Sequence, residues 1–117
     1  MNRETDIHNA VLLALSKRFH PHGVFWRQNA GRVRTERGVF VSLGPTGISD
    51  VVGLVLGLPV FVEVKTDKGT QRKGQRAFQV AVEKAGGLYL VARSAEQAVA
   101  GVTEGLRDYP KFCALTW

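Results

Sequence analysis

Two acidic residues and a lysine lie in β-type segments of this chain, where charged side chains are unusual. In the run PVFVEVK, strand alternation places Glu63 and Lys65 on one side and the valines on the other. Asp50 begins the preceding run, DVVGLVL, and a tight connection at Gly57-Leu58 predicts an antiparallel hairpin in which position 50 pairs close to position 65. We therefore expect Asp50 near Glu63 and Lys65, provided that its side chain takes the same face.

Such a group of residues can bind a metal ion. Two carboxylates and an ammonium group within a few ångströms perturb one another unless something positive lies between the acids. A single cysteine and no well-spaced histidine pair leave carboxylate oxygens as the ligands, which favours Mg²⁺ or Mn²⁺ over Zn²⁺. This ion can lower the pKa of a bound water, while Lys65 orients that water or neutralises charge in the transition state. Because lysine and arginine exceed the acidic residues and favour a phosphate-containing partner, the predicted reaction is phosphodiester hydrolysis.

The alternative is a structural role for the same residues. Glu63 and Lys65 would then form an ion pair on a half-exposed strand, and Asp50 would cap the preceding turn. The apolar neighbours of the pair, Val62 and Val64 among them, favour the catalytic interpretation, because a surface strand would not enclose charges in this way.

Composition limits the class of protein. A length of 117 residues predicts one domain, residues 1–117. Lysine and arginine outnumber aspartate and glutamate by 16 to 10, a net charge of +6 that favours nucleic acid as partner. Cys113 is the only cysteine, and no run approaches the ~20 apolar residues of a membrane span. We expect no membrane association and a cytoplasmic location, in a bacterial or phage-infected cell.

Apolar periodicity predicts a mixed sheet flanked by helices. The predicted order is a helix over 2–19, a strand over 24–29, a piece at 39–43 that is a strand or a loop, the hairpin of 50–56 and 59–65, a helix within 69–87, a strand over 88–92 and a last helix. Ser94 and Gln97 resemble the capping box that begins this last helix. The fold class is α/β, in the order α-β-β-β-α-β-α.

Basic residues form two groups that we interpret as a nucleic-acid surface, with an ordinary solvated face as the alternative. Arg27 and Asn29 share a strand face and could clamp a phosphate. Trp26 could stack on a base, but we expect it in the core, facing the first helix. The other candidate contacts to nucleic acid are Arg32, Arg34, Lys68, Arg72, Lys73 and Arg76.

Five motifs in order resemble the PD-(D/E)xK nuclease superfamily, specifically its VRR-NUC branch. They are Glu4 in the first helix, Arg27-Gln-Asn29-Ala-Gly31, Gly47-Ile-Ser-Asp50, Glu63-Val-Lys65 and Gln75. Ser49 stands where this family usually has a proline, a change that affects the turn rather than a metal ligand. The resemblance covers nearly the whole chain and implies a restriction-endonuclease-like fold.

The resemblance also implies a role for each site residue. Asp50, Glu63 and the backbone carbonyl of Val64 would hold the metal, and Lys65 would be the catalytic lysine. The resemblance makes Glu4 a further ligand of the metal or its waters; otherwise it is a favourable charge at a helix N-terminus. Gln75, at the inward edge of its helix, would bond Lys65 or a substrate phosphate; otherwise it is a boundary residue.

The predicted function is that of a Mg²⁺-dependent, structure-selective DNA endonuclease. For a protein this small, the resemblance implies a homodimer that resolves branched DNA such as Holliday (four-way) junctions, since symmetric cleavage needs two sites related by a dyad. Two alternatives remain open from the sequence. One is a flap or nicking nuclease that acts as a monomer, and the other is a non-catalytic DNA-binding module.

Overall fold

The computed structural model describes residues 3–28, 32–42, 49–66, 70–71, 73–107 and 109. Within these ranges the chain forms three helices and six strands. In chain order they are α1 (Arg3–Phe19), β1 (Gly23–Arg27), β2 (Arg32–Arg34), β3 (Phe40–Ser42), β4 (Val51–Val55), β5 (Leu58–Val64), α2 (Lys73–Lys84), β6 (Leu88–Ala92) and α3 (Ala95–Leu106). No described helix has the length and apolar character needed to cross a bilayer.

The main sheet is mixed, with the strand order β1-β4-β5-β6. The first three strands are antiparallel, whereas β5 and β6 are parallel and are connected through α2. Strands β2 and β3 form a separate antiparallel pair, and the sequence pattern predicted no strand at β2. The predicted mixed sheet flanked by helices is confirmed, and the basic segment after β1 adds a small second sheet.

The central strand β5 is covered on both faces, which explains its nearly continuous apolar sequence. Val60, Val62 and Val64 are buried in one core cluster with residues of α1 and α3. Phe61 lies on the other face, where its ring packs edge to face on Phe78 of α2 at 5.2 Å. Burial of each such side chain contributes about 1.5–3 kcal/mol. Packing on both faces thus fixes the position of β5, the strand that carries Glu63.

The β4–β5 loop is Leu56-Gly57, one residue earlier than the predicted connection. Both residues have positive φ (53° and 89°), as in the type I′ turn, whose twist suits a two-residue hairpin. The shift of the loop moves the register by two residues. Val51 pairs with Val62, so position 50 lies opposite position 63 and not near position 65.

Strand β1 contacts α1 through Phe25, whose ring centroid lies 6.1 Å from that of Phe19. Gly53 is the cross-strand partner of Phe25, and a Cβ atom there would lie 2.2 Å from the ring. The missing side chain therefore makes room for the aromatic ring. Because Phe25 takes this face, Trp26 points away from α1 and is 43% exposed, so the predicted core position of Trp26 is wrong.

Helix α2 is shorter and less buried than its sequence pattern predicted. Within the described residues it begins at Lys73, and its only buried residue is Val82, while Ala77, Ala81 and Ala85 are exposed. Gly86 has φ of 92° and follows the end of the helix, a conformation that glycine adopts readily. The N–H of Gln97 donates to Ser94 Oγ at 3.1 Å, which confirms the predicted cap of α3.

Candidate functional site

Asp50 is fixed between two neighbouring strands. Its Oδ2 accepts a hydrogen bond from the backbone N–H of Val64 at 3.0 Å, which ties the start of β4 to the end of β5. Its backbone carbonyl accepts from the N–H of Gln28 at 2.8 Å, just beyond β1. Three strands therefore position a single carboxylate. The register above, continued one residue beyond β4, places position 50 opposite Glu63, and the two carboxyl groups interact.

The Glu63 carboxylate is almost fully buried, with a 3% exposed side chain. Its Oε1 accepts a hydrogen bond from Gln75 Nε2 of α2 at 2.6 Å, and Lys65 Nζ lies 3.5 Å from the same oxygen. Its Oε2 is buried and has no hydrogen-bond partner among the described atoms. A buried oxygen of this kind is costly unless a ligand satisfies it.

Burial, the nearby charge of Asp50 and a hydrogen bond between the two carboxyl groups together raise the pKa of Glu63 from 4.5 to about 8, against the lowering effect of Lys65. The pKa is high because an ionised carboxylate loses its hydration here and meets a second acid in the same row. A cation between the two acids would offset both the lost hydration and the repulsion from Asp50, and would so lower the pKa of Glu63.

Lys65 is anchored through its backbone, since its N–H donates to the carbonyl of Ala92 at 3.0 Å. Its side chain is only 13% exposed and turns back toward Glu63. Asp50 is more open, with a 27% exposed side chain. The row of charged groups is therefore closed at Glu63 and open to solvent at Asp50, where a ligand can enter.

The donor set suits a small hard cation. Among the described residues, no group of three or more His, Cys, Asp or Glu side chains is gathered in metal-binding geometry. Mg²⁺ does not need such a group, because it commonly takes one or two carboxylates and keeps several waters. The carbonyl of Val64 points to the same side as its N–H, toward Asp50. Two carboxylates, one of which has an unpartnered oxygen, and one carbonyl therefore fit the predicted Mg²⁺ or Mn²⁺.

Sequence reasoning missed His8, which is 6% exposed and lies beside Asp50. Its Nδ1 is 3.2 Å from the guanidinium of Arg27, and its Nε2 is 3.5 Å from Asp50 Oδ2. Because a guanidinium only donates, Nδ1 accepts from Arg27 and Nε2 carries the ring proton, which makes no hydrogen bond to a described atom. The available signal was the spacing of four residues from Glu4 on the inward stripe of α1.

The structure brings Glu4 to His8, with Glu4 Oε1 4.0 Å from His8 Nε2. The side chain of Glu4 is 54% exposed, in the first turn of α1. It therefore lies at the open edge of the row, next to the residue that contacts Asp50.

The predicted nucleic-acid contacts are only partly described. Arg27 contacts His8 at the site. The side chains of Arg34, Lys73 and Arg76 are exposed, the last two beside Gln75 on α2. Arg32 is described only as part of the backbone of β2. Asn29, Lys68 and Arg72 lie outside the described residues.

Comparison with known proteins gives a structural relative. No family model matches the sequence. No curated protein matches it either. Among solved structures, a "VRR_NUC domain" matches with a TM-score of 0.58 and 19% identity, over 88% of this chain and 97% of that chain. The chain therefore has the fold of a VRR-NUC domain, as its motifs predicted.

Proposed function

We propose that this protein is a metal-dependent DNA endonuclease. Its active site, formed by Asp50, Glu63 and Lys65, would hydrolyse phosphodiester bonds of DNA. The observation that carries the proposal is the buried, unpartnered Oε2 of Glu63 in one row with Asp50, beside the ammonium group of Lys65. A pair of acids that repel each other in this way suits a site built for a cation. The VRR-NUC fold supports a nuclease as the class of protein.

Asp50, Glu63 and the Val64 carbonyl would hold Mg²⁺ or Mn²⁺, and Glu4 would reach the metal or its waters. When bound, such an ion acidifies a water and neutralises charge on the phosphate. Val64 has two roles here, since its N–H fixes the Asp50 carboxylate while its carbonyl faces the same space. Gln75 donates a hydrogen bond to Glu63 Oε1, which leaves Oε2 as the oxygen that can bind the metal.

Lys65 would act on the attacking water or on the phosphate. Its ammonium group is held near Glu63 and donates only, so it can orient a water lone pair or bind a phosphate oxygen. In the reaction the water oxygen gives up a proton and bonds to phosphorus, the bond from phosphorus to the leaving sugar oxygen breaks, and that oxygen takes up a proton from solvent. The negative charge that develops on the phosphate oxygens is what Lys65 would stabilise.

DNA would approach across the open, Asp50 side of the site. The net charge of +6 attracts a polyanion, and exposed Arg34, Lys73 and Arg76 are available to phosphates. Such contacts position the DNA backbone but do not distinguish one base sequence from another, which suits an enzyme that selects DNA by shape.

The finer part of the proposal is that a homodimer resolves four-way junctions. One site of this kind cuts one strand, so paired cuts across a junction need a second copy related by a dyad. The motif resemblance supports this substrate. A monomer that nicks duplexes or cuts flaps uses the same residues and differs only in oligomeric state.

The test is a cleavage panel of labelled four-way junction, flap, nicked duplex, intact duplex and single-stranded DNA, with Mg²⁺, with Mn²⁺ and with EDTA. We expect metal-dependent cleavage that is fastest on the junction, and a dimer in sedimentation at micromolar concentration. If the protein is a strict monomer and cuts flaps, the flap nuclease replaces the junction-resolving enzyme as the proposed function. Tight DNA binding without cleavage in either metal would favour the non-catalytic module.

A further inference from the structure

The described helices cover only half of one face of the main sheet. Helix α2 covers the β5 and β6 half, where Phe78 packs on Phe61 and Tyr89. On the β1 and β4 half of the same face, Val24, Trp26 and Leu54 are exposed. Val24 and Leu54 are paired neighbours, so the three side chains form one apolar patch around the indole ring.

The patch lies on the same face as Glu63. Trp26 pairs with Val52, and Val52 pairs with Phe61, so the side chains of these three residues form one row across the sheet. Two residues further along β5, on the same face, comes Glu63. Position 50 lies opposite Glu63 in the adjacent row when the register is continued one residue beyond β4. Strand geometry places the Cα atoms of Trp26 and Asp50 about 8 Å apart.

The indole ring is held in place by its polar edge. Trp26 Nε1 donates a hydrogen bond to Gln28 Oε1 at 3.2 Å, and the N–H of Gln28 donates to the carbonyl of Asp50 at 2.8 Å. The only polar atom of the indole is thus satisfied within the protein. What the ring offers to solvent is its aromatic surface, fixed relative to the candidate metal ligand.

We propose that Trp26 is a base-stacking subsite for the DNA strand whose phosphate lies at Asp50 and Glu63. This inference rests on the proposed function. A fixed aromatic surface stacks on any base without reading its identity, and the exposed valine and leucine beside it exclude water from the stack. The base one or two nucleotides from that phosphate is within reach of the ring.

The subsite restricts the class of substrate. In an intact duplex each base is stacked on its neighbours, so the base that meets Trp26 must be unpaired, splayed or at a strand end. Branched DNA and single-stranded flanks supply such bases, whereas a continuous duplex does not. Trp26 would therefore contribute to structure selection next to the bond that is cut, which the dispersed basic residues cannot do.

The test uses tryptophan fluorescence, because Trp26 and Trp117 are the only tryptophans. In a W117F background with EDTA, we expect quenching by junctions and single strands and much less by a closed duplex at equal saturation. We expect W26L to lower affinity for unpaired DNA by about tenfold or more and affinity for the closed duplex by less than about twofold. W26F should keep most of the affinity, and L13A, at an exposed leucine of α1 outside the patch, is the control.

Each result decides the inference. If wild type cleaves DNA and W26L binds and cuts every DNA equally well, the stacking subsite is overturned and the proposed function stands. If wild type neither binds nor cuts any DNA, both proposals fail together. If the fluorescence changes with protein concentration in the absence of DNA, the patch is a contact between copies of the chain. This result would overturn base stacking.

Discussion

The backbone N–H of Val64 donates to Asp50 Oδ2 at 3.0 Å, so the same carboxylate that we assign to a metal also joins two strands. Asp50→Asn keeps an oxygen that can accept this bond, whereas Asp50→Ala leaves the N–H of a buried residue unpaired. We expect Asp50→Ala to be less stable than Asp50→Asn by about 1–3 kcal/mol in urea unfolding with EDTA. Because both variants remove the charge, repulsion with Glu63 cancels in the comparison. Equal stability would contradict this structural role.

Glu63 should make the metal-free protein lose stability as the pH rises. The unfolded chain ionises this carboxyl near 4.5, whereas burial raises its pKa to about 8 in the folded state. The raised pKa stabilises the folded state fully below pH 4.5, and this contribution is lost as the pH rises through 8.

The comparison for Glu63 is wild type against Glu63→Gln, which cannot ionise. With EDTA, we expect the unfolding free energy of wild type to fall relative to the variant as the pH rises from 6 toward 8, by roughly 1 kcal/mol for each step of one in pH. Saturating Mg²⁺ should remove most of the difference in slope. Parallel stability curves for the two proteins would contradict the burial of an ionisable Glu63.

Gln75 should act by holding Glu63 in place. Gln75→Leu removes the donor 2.6 Å from Glu63 Oε1, so the carboxylate is held less firmly and its ionised form is less well stabilised. We expect Mg²⁺-dependent cleavage to fall about 10- to 100-fold, with partial recovery at high Mg²⁺. Gln79→Leu, one turn further along α2, is the control, because Gln79 bonds Gln71 and not Glu63. Equal losses in both variants would indicate a general effect of α2.

His8 should position Asp50 from the α1 side. Its ring lies between Arg27 and Asp50, so His8→Ala would remove a contact from each of these side chains. We expect a 10- to 100-fold weaker apparent Mg²⁺ affinity in cleavage, with DNA affinity in EDTA changed much less. His20→Ala, at an exposed histidine, is the control. A loss of DNA affinity with unchanged Mg²⁺ dependence would assign His8 to substrate binding through Arg27.

Alternation along β5 was sufficient to place Glu63 and Lys65 on one side of the strand, and the structure places them there. The register was harder, because the loop begins at Leu56, and leucine rarely adopts the positive φ observed there. A local pattern therefore favoured Gly57-Leu58 and predicted the wrong partner for position 50. The grouping of the acids survived this error because two residues of slip keep a side chain on the same face.

The positions of Trp26 and His8 depended on tertiary packing. Alternation shows which residues of β1 share a face, but not which face meets α1, and the space left by Gly53 selects Phe25. His8 reaches Asp50 only because α1 packs across the sheet, a contact between residues 42 positions apart in the chain. No spacing rule applied to histidines alone contains that information.

The most direct test of the central claim is single-turnover cleavage of a labelled four-way junction by wild type, Asp50→Asn and Lys65→Met, with Lys84→Met as a charge-matched control on α2. The proposed site predicts that Asp50→Asn and Lys65→Met lose at least about 100-fold in rate in Mg²⁺ while they still bind the junction in EDTA. Lys84→Met should cut at nearly the wild-type rate. Undiminished cleavage by both Asp50→Asn and Lys65→Met would contradict the assignment of this site.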